Sequence, residues 1–166
     1  MSIALDIVRT YRTPREVMAR RIGHDVREDR ALAVLMGACV LIFIAQWPRL
    51  AREAHLDDTI GFDARLAGAL FAWLFLAPLL FYVLSLLVQG AFRLIGRHVN
   101  GYSVRMAVFW GLLAAAPMFL LTGLTAGFVG PGPALNIVGA LAFAALVVFW
   151  VSGLSLVATA RPETGH

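Results

Sequence analysis

The sequence predicts an all-α integral membrane protein: a helical bundle of four transmembrane helices preceded by amphipathic helices that lie in the membrane interface. Three observations predict it. Of 166 residues, 60% are hydrophobic and 14% charged, with a mean hydropathy of +0.80, which does not describe a water-soluble domain. The charges are also unevenly placed, since residues 31–48, 66–92 and 106–160 carry none and together make up 100 positions. Finally, seven of the arginines fall in the first thirty residues, just before the first apolar run. This pattern excludes a soluble core, a disordered tail and a disulfide scaffold.

Three divisions follow: an arginine-rich interfacial segment over residues 1–30, a transmembrane bundle over 31–160 and a cytoplasmic tail over 161–166. In the first, Ile3, Ala4, Ile7, Val8 and Tyr11 share one side of a helix, and Asp6, Arg9, Thr10 and Arg12 take the other. Thr13-Pro14-Arg15-Glu16 then has the capping-box arrangement, so a second short helix starts there. Val17, Met18 and Ile22 give it an apolar side, into which Arg21 intrudes and from which it must snorkel. The pair reads as a peripheral collar that binds anionic lipid or a partner, or that simply covers one end of the bundle.

A span needs roughly 20 apolar residues to cross about 30 Å of hydrocarbon. Residues 31–48 make a short first helix, closed by Trp47-Pro48, and residues 66–92 a long second one, tilted or kinked. The 55-residue run must cross twice, and the glycines and prolines at 127–133 mark its fold-back. The third and fourth helices therefore cover about 106–128 and 134–160. Trp110 and Trp150 lie near their ends, as interfacial tryptophans do.

Orientation follows from the basic residues, all 14 of which are arginine. Eleven fall on the side of the termini, where Arg93, Arg97 and Arg105 join Arg161 and the N-terminal seven. Arg49, Arg52 and Arg65 lie opposite, in a loop that also holds Glu53, Asp57, Asp58 and Asp63. The positive-inside rule then puts both termini in the cytoplasm. Thirty charged and mixed residues precede the first apolar run, so it is not expected to be a cleaved signal peptide.

The ten arginines expected to meet lipid headgroups or a partner are Arg9, Arg12, Arg15, Arg20, Arg21, Arg27, Arg30, Arg93, Arg97 and Arg105. Their placement beside apolar runs suits anionic lipid and not nucleic acid. The residues expected to pack helices are Gly123 and Gly127, at GxxxG spacing, the amides of Gln89 and Asn136, and the kinking prolines Pro78 and Pro117. The helix that approaches Gly123 and Gly127 belongs either to the bundle itself or to a partner. In the second case bulky replacements there release the partner and leave the protein inserted.

No Asp, Glu, Arg, Lys or His falls inside any apolar run, and pumps and proton-coupled carriers need an ionisable group at membrane depth. The alternative to a scaffold is a small transporter or channel, with a polar cavity between the kinked helices lined by Gln89 and Asn136. Catalysis has less support. Ser152-Gly153 lacks the preceding glycine of a nucleophile elbow, His24, His55 and His98 fall in loops, and no metal-ligand or phosphate-loop pattern occurs. With one cysteine, Cys39, there is no disulfide framework either. No enzyme activity, cofactor or metal is expected.

Three stretches together carry a family resemblance: Thr13-Pro14-Arg15-Glu16 leading to Ala19-Arg20-Arg21, the long second span running into residues 96–103, and a small-residue helix with Ala107 and Ala114–Ala116. On these the chain resembles bacterial, proteobacterial members of the Yip1 domain family of small multi-span membrane proteins. The family's Asp-Leu-Tyr-Gly-Pro motif is missing, as is its long cytosolic N-terminal region, so its GTPase partners do not carry over. Many relatives have five spans, which keeps a fifth open here. The resemblance implies an integral membrane scaffold of unassigned bacterial function, and the sequence as a whole is read as a non-enzymatic bundle of the bacterial inner membrane that binds lipids and other membrane proteins or itself, as scaffold, accessory subunit or assembly factor.

Overall fold

A computed structural model describes residues 3–22, 27–57 and 59–159, all of their regular structure helical. The elements are α1 (Ile3–Thr10), α2 (Pro14–Ile22), α3 (Glu28–Leu56), α4 (Phe62–Leu94), α5 (Gly101–Phe128) and α6 (Pro133–Thr159). Among the described residues α3, α4, α5 and α6 are long and apolar enough to cross a membrane. The chain is therefore a membrane-embedded helical bundle of the predicted all-α class. His24 and the tail at 161–166, with Arg161, lie outside the described residues.

The core forms around α5, because its sequence is small on several sides. Ala107, Gly111, Ala114, Ala115, Ala116, Gly123 and Ala126 are all buried, which lets α3 and α6 pack closely on it. At Gly111 a Cβ would sit 2.6 Å from the Trp150 indole of α6, whose Nε1 donates to the Val108 carbonyl at 3.1 Å. Trp150 therefore packs inward, where the sequence suggests an interfacial marker. On the other side of α5, Tyr82 of α4 meets Phe109 edge-to-face at 5.0 Å.

The helices run beyond the apolar stretches, and the clearest difference is in the first span. The sequence closes it at Trp47-Pro48, whereas α3 continues to Leu56. Proline deletes one ladder bond, to the Ile44 carbonyl, but the turns after it are held by the Arg49–Glu53 pair at 3.1 Å and by the Asp57 N–H donating to the Glu53 carbonyl. Beyond Asp57 the connection is an Asx turn: Thr59 donates to the Asp57 carboxylate from its amide at 3.1 Å and from its hydroxyl at 2.6 Å. Those bonds, with the Arg65 guanidinium, hold the Asp57 carboxyl below its usual pKa.

At 33 residues α4 is about 50 Å long, more than the hydrocarbon it crosses. Its expected bend at Pro78 takes the form of a π-helical turn over Ala72–Leu76, just ahead of the proline. Pro117 stays within a continuous α5 and is exposed. α5 starts five residues earlier than the apolar run does, because Asn100 Oδ1 accepts from the Tyr102 amide at 2.9 Å and caps it.

Candidate functional site

Asp6 and Thr10, two of the three buried polar residues among those described, lie in the N-terminal hairpin, α1 and α2, which packs on α5 and α6 rather than lying apart from them. Residues 11–13 form its turn. Tyr11 donates from its hydroxyl to the Ala114 carbonyl at 2.9 Å, and its ring meets Phe149 edge-to-face at 5.1 Å. Trp110 Nε1 donates to the Thr10 hydroxyl at 3.3 Å, and that hydroxyl donates back along its own helix to the Asp6 carbonyl at 2.7 Å. From α2, Met18 is fully buried beside Gly153 and Ala107.

Asp6 is the charged centre of this contact. It is buried, with Arg21 bonded to one carboxylate oxygen and Arg20 3.5 Å from the other. The Arg21 guanidinium also sits 4.3 Å from the centre of the Trp110 ring, in cation–π contact. A carboxylate and a guanidinium thus share a largely desolvated site against the start of the charge-free run of α5. Pairing and hydrogen bonding make such burial tolerable.

The structure gives the two sides of α1 their directions. Its polar pair Asp6 and Thr10 faces the protein, and Ile3, Leu5 and Val8 face outward, each more than half exposed. Of the expected apolar side, Ile7 packs against the core and Tyr11 reaches it at Ala114 and Phe149. The i, i+4 spacing of Asp6 and Thr10 was legible as one face. What decides its direction is Trp110, a hundred residues away, whose indole N–H needs an acceptor inside the bundle.

The ten arginines divide by surroundings. Arg9 and Arg12 are exposed beside the hairpin turn, and among the described residues no ion pair holds them. Arg15 reaches the Ser155 hydroxyl at 3.4 Å, Arg97 donates to the Ala158 carbonyl at 2.7 Å, Arg27 pairs with Asp29 at 2.9 Å, and Arg105 grips Glu28 through two bonds. Arg30 is half-buried and Arg93 exposed. Several of these side chains thus tie α2, α3 and the 95–100 connection to the termini side of the bundle.

The packing residues also separate. Gly123 and Gly127 line a seam with α3 inside the chain: a Cβ at Gly123 would lie 2.7 Å from the Ala45 carbonyl carbon and closer to its oxygen, and one at Gly127 2.7 Å from the Pro48 carbonyl carbon. Arg52 closes the end of the seam by donating to the Gly127 carbonyl at 3.3 Å and covering Gly130, whose φ of +86° glycine alone tolerates easily. Gln89 lies over Gly101, with its amide 2.9 Å from where a Cβ would stand. Asn136 is exposed in the first turn of α6, so no helix of the described residues covers it. Gln89 and Asn136 lie at opposite ends of the bundle and do not line one cavity.

No family model, curated protein or solved structure matches this chain.

Proposed function

We propose that the protein is a non-enzymatic, Yip1-like scaffold, accessory subunit or assembly factor of the bacterial inner membrane, binding lipid through its N-terminal hairpin and other membrane proteins, or a second copy, through α4. The observation that supports it is how little of α4 its own bundle covers. Only 11% of its most apolar window is buried, against 61% for α5. Ala77, Pro78 and Ser85 are its buried residues, while Phe71, Phe75, Leu79, Leu80, Leu86 and Leu87 are all exposed. Within lipid the hydrophobic effect does not drive helices together, so packing has to, and α4 gains little packing from this chain.

The test is site-specific photo-crosslinking in cells, with a benzophenone amino acid at Phe75, Leu79 or Leu86 on α4 and at Phe143 or Val151 on α6. One protein adduct, shared by the α4 positions and recovered in stoichiometric amount after mild-detergent purification, is expected. Lipid adducts alone at all five positions count against the reading.

The proposed orientation has its own check. In a Cys39→Ser background, single cysteines at Asp58 and Thr164 are exposed to a membrane-impermeant thiol reagent on intact cells. Position 58 is expected to react and position 164 to stay protected, and the reverse pattern overturns the assignment of both termini to the cytoplasm.

A further inference from the structure

We propose that the N-terminal hairpin is a membrane-inserted wedge that carries the guanidiniums of Arg9, Arg12 and Arg15 below the headgroup plane, where they capture lipid phosphates and thin the surrounding leaflet. The inference rests on the reading of α3 to α6 as membrane spans and fixes which part of the protein meets lipid headgroups, and how deeply.

Depth comes from α5. Arg105 is the last charged residue before its apolar run. Trp110 and Ala114, which hold Thr10 and Tyr11, lie five and nine residues further along, or about 7 and 14 Å at 1.5 Å per residue. The hairpin turn is therefore well inside the level at which the bundle's own charges stop. The α2 end of the hairpin leads back toward the termini side, since Ile22 packs against the cluster of Val104, Ala107 and Val157 near the ends of α5 and α6.

The outward face of α1 gives independent support. A helix that buries Asp6 and Thr10 and shows Ile3, Leu5 and Val8 has the inverse pattern of a helix at a water-exposed surface. Acyl chains suit that face. Arg9 and Arg12 are exposed on the same hairpin beside its turn, and Arg15 starts the next helix, also exposed. Guanidiniums at such a depth are accommodated by snorkelling, by drawing phosphates and water inward and by local thinning of the bilayer. Arginine suits this role because its planar fork binds phosphate oxygens two at a time.

The experiment uses the full chain in vesicles of phosphatidylcholine with a minority of phosphatidylglycerol. Spin labels are placed at Val8→Cys and, as a reference on a span, at Leu79→Cys, both in the Cys39→Ser background. The Val8 label is expected to be relaxed by oxygen and not by a water-soluble nickel chelate, as at Leu79. In parallel, carbon-labelled arginine guanidiniums are expected to show short-range dephasing by lipid phosphorus, and most of that effect is lost in the triple variant R9Q/R12Q/R15Q. A Val8 label open to the nickel chelate overturns the wedge and leaves a peripheral collar. Shielding of Val8 from both reagents overturns it in favour of a protein covering, and unchanged dephasing in the triple variant overturns phosphate capture. A Leu79 label open to the chelate overturns the membrane reading itself, and the wedge with it.

Discussion

Replacing Gly123 by leucine is expected to disrupt the bundle itself, at a cost of more than about 3 kcal/mol, the upper end of what overpacking a membrane or soluble core exacts. The obstacle is backbone, not side chain. A Cβ at this position meets the carbonyl group of Ala45, and at Gly127 it meets that of Pro48, so no rotamer change relieves the clash and α3 must move off α5. Even Gly123→Ala should lower the detergent melting midpoint measurably. Gly139→Ala is the control, since nothing lies within 4 Å of its Cβ position, and there the lost glycine entropy favours the variant by up to about 1 kcal/mol. If Gly123→Leu melts like the wild type while releasing a co-purifying protein, then the seam with α3 is not what these glycines serve.

That expectation replaces the second of the two sequence readings, in which bulky residues at the GxxxG step release a partner from an intact protein. The pattern itself announced a close helix approach. It carried no information on which helix approaches, because small residues admit any neighbour, and only the register that puts Ala45 and Pro48 opposite Gly123 and Gly127 answers that. The four spans were legible for a stronger reason: a charge-free run of sufficient length has no other stable place. Their ends were less so, since Arg49, Glu53 and Asp63 read as loop by charge yet continue α3 and α4 as helix past the hydrocarbon.

Which way the hairpin's faces turn has a different physical origin. Periodicity assigns residues to faces but not faces to surroundings, and a polar face normally belongs to water or headgroups. Here Trp110 offers one indole N–H and one ring face in an otherwise apolar helix, and Thr10 and Arg21 satisfy both. Arg21 then brings Asp6 with it. The absence of Asp, Glu, Arg, Lys and His from the apolar runs is a true statement about the sequence, and the fold nevertheless packs an ion pair against one of them, within its first two turns.

Asp6→Ala is therefore expected to detach the hairpin without unfolding the spans. Removing one partner of a buried pair leaves the other charge uncompensated, which typically costs about 3–5 kcal/mol. Here Arg21, itself largely buried, loses the carboxylate it is bonded to. Some of that cost is recovered as the Arg21 guanidinium turns to phosphates, so the lower end applies, and hydrogen exchange of the α1 and α2 amides should accelerate by about a hundredfold or more while α5 stays protected. Loss of the Thr10 and Arg21 contacts should also change Trp110 fluorescence. The decisive comparison is the double variant Asp6→Ala/Arg21→Met, which removes both charges of the bonded pair and keeps apolar bulk against Trp110. It is expected to exchange more slowly than Asp6→Ala alone, because the interaction energy of contacting residues makes their substitutions non-additive. Exchange in Asp6→Ala no faster than in Asp63→Ala, an exposed carboxylate on α4, would mean that the hairpin is held by Tyr11, Met18 and the surrounding lipid and not by the buried pair.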